Sequence, residues 1–519
     1  MSATNANLYA AFRRHFPADA SSPLLTTATG DSFSYGDAER ESARFASCLS
    51  AMGLQAGDRV TVQVEKSVEM LWLYLGCLRA GLVFHPLNTA YSPAELEYFL
   101  GNAEPSLVVC TPESGAMMVG LAASLGNIPV HTLGSDGGGT LMTAVDASAA
   151  DFDCVESAPD DLAALLYSSG TTGRPKGIML SHGNLASNAG TLVDYWGFTS
   201  NDVLLHALPI FHVHGLFVAI SCVLMSGASM RWLPGFNVET VLAELPRSTV
   251  MMGVPTYYTR LLASDRFDRD ACRTLRLFIS GSAPLLAETF VEFEQRTGHR
   301  ILERYGMSET GMNTSNPLRG ERRAGTVGFP LPGVSARIVD DNGAPVAVGE
   351  VGNLQVKGPN VFGGYWRMPE KTAEDFTADG FFDTGDKAVL DADGYYSIVG
   401  RAKDMVICGG LNVYPKEVEL VIDEIDGVAE SAVIGVPHPD FGEAVVAVVV
   451  ATAAGRDSLG EAAVIAAAKP LLANFKIPKR VMVVDELPRN TMGKVQKNLL
   501  RDNYRHLFNA VEPSLTSPA

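Results

Sequence analysis

A mixed α/β fold in two parts is predicted, with a large N-terminal α/β domain of several sheets over residues 1–402 and a small C-terminal α+β domain over 403–519. Three observations lead there. At 519 residues the chain is longer than one hydrophobic core usually supports. From Tyr9 to about Val450, short apolar runs alternate with helical hydrophobic patterns, the mark of sheets covered by helices. Near residue 400 the texture changes: a strand at 395–399 runs into Gly400-Arg401-Ala402-Lys403-Asp404, and a compact βα-type segment continues from there to about Arg505.

Taken in order, Arg59–Gln63, Leu107–Cys110 and 248–252 read as strands, Leu162–Tyr167 as a buried strand, and 178–180 as its hairpin partner. The last stretch, 511–519, is rich in Ser and Pro and suits a frayed terminus. Hydrophobic residues make up 47% and charged residues 19%, which excludes a disordered or fibrous chain. With 40 basic against 58 acidic residues the net charge is −18, so nucleic acid and anionic membrane are disfavoured as partners, and any phosphate site must be built from local features. The longest apolar stretches, 444–454 and 216–225, are shorter than the ~20 residues that cross a bilayer. The first twenty residues hold Arg13, Arg14 and Asp19 but no long apolar core, so no leader is read and the cytoplasm is expected. Seven cysteines stand singly, which predicts reduced, mostly buried residues without a zinc site or disulfide framework.

Between the hairpin strands lies Ser168-Ser169-Gly170-Thr171-Thr172-Gly173-Arg174-Pro175-Lys176-Gly177. Its glycines admit close backbone approach to an anion, its hydroxyls and amides donate hydrogen bonds, and Lys176 adds a point charge, a composition suited to polyphosphate. The spacing is not that of a Walker loop, whose lysine directly follows a glycine and opens a helix.

This loop resembles the signature of the AMP-forming acyl-CoA synthetases, within the adenylate-forming superfamily, and later segments agree in order along nearly the whole chain. Glu303-Arg304-Tyr305-Gly306-Met307-Ser308-Glu309-Thr310 is similar to that family's adenine and magnesium motif, Asp383-Thr384-Gly385-Asp386 to its ribose motif, Gly400 to Asp404 to its interdomain hinge, and Pro488 to Lys494 to its catalytic lysine loop. The resemblance implies an acid–thiol ligase using ATP, Mg²⁺ and coenzyme A, in which the small domain rotates about the hinge between two half-reactions. It assigns Ser168, Ser169, Gly170, Thr171, Thr172, Gly173 and Lys176 to the phosphates, Glu309 to Mg²⁺ and Thr310 to the α-phosphate. Ser282, Ala283, Glu303, Tyr305 and Gly306 go to adenine, Asp386 to ribose, and Arg401 to ribose or phosphate. Lys494 is the expected catalytic cation, Lys403 the pivot, and Gly409 and Gly410 line the thiol passage. Coenzyme A brings its own nucleophile, so no triad or catalytic cysteine is required.

Four longer strings, 208–216, 252–262, 277–286 and 303–317, resemble the malonate-activating members of that family. By that likeness Arg260 and Ser282 hold the distal carboxylate, Met307 lines the pocket, and one of His212 or His214 lies near the reacting carboxylate. On the residues alone Arg260 also reads as a helix cap or a partner of Asp265, and His182 and His206 as ordinary hydrogen-bonded histidines. Methylmalonate, another short acid, a carrier-loading adenylation enzyme and a nucleotide-binding protein without turnover stay open alternatives. No protein partner is expected.

Overall fold

The computed structural model describes residues 5–167, 175–408, 411–438, 441–456, 459–472, 474–490 and 493–508, with backbone alone at 402, 411 and 412. Ser168, Ser169, Gly170, Thr171, Thr172, Gly173, Gly409 and Gly410 lie outside the described residues. The chain divides into two compact units, Met1–Ala336 with Val356–Phe382, and Arg337–Gln355 with Asp383–Ala519. This division differs from a single boundary at 402/403. The reason is strand pairing: Phe382–Leu390 runs antiparallel to Tyr396–Arg401, with Asp386 opposite Arg401, so residues 383–401 belong with the C-terminal part of the chain.

The first unit holds two sheets. One runs in the order Val130–Thr132, Leu107–Cys110, Arg59–Gln63, Val83–Pro86, Leu162–Tyr167, Gly177–Ser181, parallel throughout except for the last pair. Strands buried on both faces are continuous apolar runs, which is why Leu107–Cys110 and Leu162–Tyr167 are readable in the sequence. After Arg59–Gln63 the chain crosses over by the helix Val68–Arg79, capped by the Ser67 side chain accepting from the Met70 amide.

The nine-stranded sheet sets Leu302–Met307, Leu277–Ser280, Val250–Gly253 and Val203–His206 side by side and parallel. Their carboxyl ends therefore deliver four connections to one edge: residues 207–213, the helix Pro255–Leu262, residues 281–286, and the turn 308–310. The carboxyl edge of a parallel sheet is where α/β folds usually hold ligands. Behind it, Tyr258, Phe267, Phe278, Phe293 and Leu261 form a closed core that keeps these strand ends rigid.

In the second unit a four-stranded sheet orders Ser335–Val339, Gly352–Lys357, Phe382–Leu390 and Tyr396–Arg401. A further sheet centres on Gly442–Ala451, antiparallel to Val428–His438 and parallel to Arg480–Val484. Alternate residues of that central strand enter two cores: Val445, Ala447 and Val449 pack with Val418 and Ile422, while Val446 and Val448 pack with Leu487 and Leu500. Among the described residues no helix is long and apolar enough to cross a membrane. All seven cysteines are free and six are buried.

Candidate active site

The hairpin strands Leu162–Tyr167 and Gly177–Ser181 pair antiparallel with Tyr167 opposite Gly177. A distant segment pins this hairpin: the Trp366 amide donates to the Gly177 carbonyl at 2.7 Å, and the Met179 amide to the Gly364 carbonyl at 3.2 Å. Gly177 is required for that approach, since a Cβ there would lie 2.9 Å from the Trp366 Cβ. Lys176, next to the Tyr167–Gly177 end of the hairpin, sits 3.7 Å from Asp375 and 4.2 Å above the Tyr365 ring.

Residues 303–310 run from the strand Leu302–Met307 into a tight turn and back along Gly311–Ser315. A Cβ on Gly306 would stand 2.1 Å from the Gly311 carbonyl, so only glycine lets the two strands close here. Glu309 and Thr310 are buried in the turn. Asn313 Nδ2 donates to Thr310 Oγ1 at 2.7 Å, Asn360 Nδ2 to the Thr310 carbonyl at 2.7 Å, and the Phe362 amide to the Glu309 carbonyl at 2.8 Å. The turn is thus held by three amide donors. Glu303 accepts from the Leu285 amide at 3.0 Å, tying this strand to the 281–286 connection, and the Tyr305 hydroxyl reaches Met307 Sδ at 3.9 Å.

A third group forms where the connections meet. Ser282 adopts φ +71°, a left-handed conformation costly for any residue but glycine, and such strain concentrates at functional sites. Its hydroxyl lies 3.3 Å from His214 Nδ1, and the His214 amide donates to His212 Nδ1 at 3.3 Å. His214 is buried, starts a π-helical stretch His214–Ile220, and has an Nε2 with no protein partner. Burial, then the positive charge of Arg304, pulls its pKa well below the ordinary value, so the imidazole is neutral. Arg304 is 3% exposed, and its Nε and Nη2 are buried without a hydrogen-bond partner. Its guanidinium abuts Gly281, where an added Cβ would come within 2.5 Å of Cζ. Arg260, by contrast, is exposed in the last turn of Pro255–Leu262, where its charge is felt by Tyr257. The geometry therefore joins Ser282 and His214 to Arg304, a residue that in the sequence is only one letter of the adenine motif.

In the second unit, Arg401 Nε pairs with Asp386 Oδ1 at 2.7 Å across the antiparallel ladder. The Asp386 amide is fixed by Thr384 Oγ1 at 3.1 Å, and that hydroxyl donates to the Leu354 carbonyl at 2.7 Å. Lys403 is exposed in a 3₁₀ turn of residues 402–404. Lys494 is exposed on a loop closed by Gln496 N to Pro488 O at 2.8 Å and by Asn490, whose amide donates to the Lys494 carbonyl at 2.9 Å and whose side chain accepts from the Lys494 amide at 3.0 Å. Arg489 donates to the Gly493 carbonyl at 2.6 Å and pairs with Glu430, so the loop is braced on both sides of the lysine.

The family model described as AMP-binding enzyme matches residues 12–366, and the one described as AMP-binding enzyme C-terminal domain matches residues 417–494. The chain belongs to the AMP-binding enzymes. Among curated relatives, the malonate–CoA ligase of Arabidopsis thaliana is 36% identical, with 92% of this chain and 86% of that protein covered. A feruloyl-CoA synthase of Amycolatopsis sp is 35% identical over 92% and 94% of the two chains. Among solved structures, ATP-bound MatB from Rhodopseudomonas palustris superposes with a TM-score of 0.95 at 54% identity, covering 97% of this chain and 100% of that one.

For an AMP-binding enzyme the donor set at Glu309 is informative. No group of three His, Cys, Asp or Glu side chains that could hold a metal occurs among the described residues. One buried carboxylate beside a hydroxyl-rich turn fits a magnesium ion that takes its other oxygens from phosphate and water.

Proposed function

We propose that this chain is a malonate–CoA ligase: malonate attacks the α-phosphorus of ATP, diphosphate leaves, and coenzyme A then displaces AMP to give malonyl-CoA. The observation that carries the substrate is the buried Arg304 guanidinium, with Nε and Nη2 unpaired, beside Ser282 and His214. A buried cation of that kind calls for an anionic ligand, and a diacid brings a second carboxylate to the site once the first reacts. An aromatic acid such as that of the feruloyl-CoA relative presents an apolar body to the same place and leaves the charge uncompensated. Identity of 54% to MatB and 36% to the plant malonate–CoA ligase supports the same choice.

In this reading Arg304 and Ser282 take the distal carboxylate, with Arg260 as a second candidate and Met307 on the pocket wall. His214, held neutral, donates from Nε2 toward the reacting carboxylate, and His212 orients it through the His214 amide. Ser168 to Gly173 and Lys176 neutralise the leaving phosphates, and Glu309 holds Mg²⁺, which supplies charge neutralisation on the phosphate oxygens. Thr310 binds the α-phosphate, Ala283, Glu303, Tyr305 and Gly306 border adenine, and Asp386 with Arg401 takes the ribose. Lys494 stabilises charge on the bridging oxygen during the first step. Rotation about Lys403 then exchanges it for the segment with Gly409 and Gly410.

Diphosphate release with ATP and Mg²⁺ across malonate, methylmalonate, succinate, acetate, octanoate, ferulate and amino acids, with and without coenzyme A, tests the proposal. Malonate with coenzyme A should give the highest kcat/KM. Preference for a monocarboxylate would remove Arg304 and Ser282 from substrate recognition while leaving the adenylation chemistry. One added methyl changes discrimination by only ~1–3 kcal/mol, so methylmalonate is expected to be used to some extent.

A further inference from the structure

We propose that Lys66 is a positioning residue for the loop 206–215 that carries His212 and His214, an inference that rests on the assignment of those histidines to the acid pocket. Lys66 lies far from this loop in sequence, between the strand Arg59–Gln63 and the helix Val68–Arg79. Its Nζ nevertheless lies 2.8 Å from His206 Nδ1, 2.9 Å from the His206 carbonyl and 3.1 Å from the Leu208 carbonyl. The same atom stands 4.3 Å from the centre of the Trp232 ring.

Protonation is set by the partners. His206 Nε2 is 2.9 Å from the Gly215 carbonyl, which can only accept, so Nε2 carries the hydrogen. Buried beside a cation, the ring is neutral, which leaves Nδ1 as an acceptor facing Lys66. Lys66 thus meets three acceptors. An ammonium has three N–H groups for them, whereas a neutral amine is one donor short. Part of the Lys66 surface stays open, yet desolvation pulls its ammonium well below the ordinary lysine range. The three acceptors and the Trp232 face oppose that pull and hold the proton.

One cation therefore ties both ends of the loop, directly at 206 and 208 and through the His206 ring at 215. The chain between folds back closely: a Cβ on Gly215 would lie 2.0 Å from the Pro209 carbonyl, and the Leu216 amide donates to the His212 carbonyl at 3.0 Å. The orientation of His214 against Ser282 depends on this closure. Neither Lys66 nor His206 needs to touch substrate for its loss to move the groups that do.

The test uses the full chain with Lys66→Met and His206→Phe, which cut the two ties separately, and His206→Gln, whose amide reaches the place of Nε2 and can donate to Gly215. KM for the acid, KM for ATP and kcat are measured by diphosphate release, with thermal melting as the folding control. An ångström of misplacement costs up to ~100-fold, so Lys66→Met and His206→Phe should raise the acid KM by roughly 10- to 100-fold with the ATP KM within about twofold. His206→Gln should recover most of that loss. Acid and ATP KM rising together, or both unchanged in folded variants, overturns the proposal. Should Lys66→Met not fold, the His206 pair decides alone. The unsubstituted protein's acid preference is measured first, and the shift is read for whichever acid it uses. The malonate reading can then fail while the positioning role stands, and an unshifted acid KM sinks the positioning role while malonate stands.

Discussion

Replacing Arg304 by Met should make the unliganded protein more stable and a worse ligase. The guanidinium is 3% exposed, has two unpaired buried nitrogens, and is pulled by burial more than two units down, to about 10. A cation whose folded pKa is depressed stays charged below that pKa at a cost to the fold. At 1.36 kcal/mol per pKa unit the cost at neutral pH is about 3 kcal/mol. Methionine is of similar length, apolar and adaptable, so the variant recovers up to that amount, less any packing lost. For the diacid the sign reverses. Removing one partner of a buried charge pair costs about 3–5 kcal/mol, which is roughly a hundred- to several-thousand-fold in kcat/KM for malonate. The ATP KM should move by less than about threefold, within the noise of independent sites. Thermal melting without ligand and diphosphate-release kinetics with malonate and ATP varied separately give both numbers. A variant that melts earlier and loses ATP affinity as well would make Arg304 a structural cation. Unchanged malonate kinetics would take it out of the pocket altogether.

Arg260→Ala should raise the malonate KM by less than Arg304→Met does, because an exposed guanidinium works against water and contributes about 1 kcal/mol or less. A larger effect at Arg260 would reverse their order. Lys494→Ala should abolish malonyl-adenylate formation yet spare thioesterification of supplied malonyl-adenylate, measured as malonyl-CoA by chromatography; equal loss of both half-reactions contradicts its role. Asp423 is raised by burial from 3.8 to about 6 while accepting from Ser431 at 2.7 Å, so its contribution to stability is full below about pH 4 and is lost as pH rises through 6. That loss is about 3 kcal/mol at 1.36 per unit, and Asp423→Asn should flatten the fall in melting temperature between pH 4 and 7; an unchanged slope assigns the fall elsewhere.

The parallel core was legible because Leu107–Cys110 and Leu162–Tyr167 are short apolar runs between polar breaks and Arg59–Gln63 alternates polar with β-branched residues, and all three form where those patterns put them. The run at 248–252 forms two residues late, as Val250–Gly253, because Ser248 first closes a helical turn through its hydroxyl to the Glu244 carbonyl. The strand expected at 395–399 continues to Arg401, since the Asp386–Arg401 pair extends the ladder with polar residues that read as a loop in isolation. The same long-range pairing hid the split of the second unit. At the site, motif order marked Glu309, Thr310 and Ser282, but nothing in the local pattern separates Arg304 from its charged and aromatic neighbours. Only the packing of Gly281 against it, and the absence of hydrogen-bond partners for its Nε and Nη2, sets it apart. Lys66 is likewise an ordinary lysine until residue 206 is brought to it.

The pinning of the hairpin Leu162–Tyr167/Gly177–Ser181 by Gly364 and Trp366 has a consequence for synthesis. Both hairpin strands leave the ribosome early, yet the backbone donor that closes on Gly177 is made only after the rest of the nine-stranded sheet and the first strands of the second unit. Domains generally fold as they emerge, N-terminal part first. Here the end of the hairpin at Gly177 waits for a returning segment, so a nascent chain halted before residue 364 has its parallel core but not the backbone brace that closes on Gly177 and Met179.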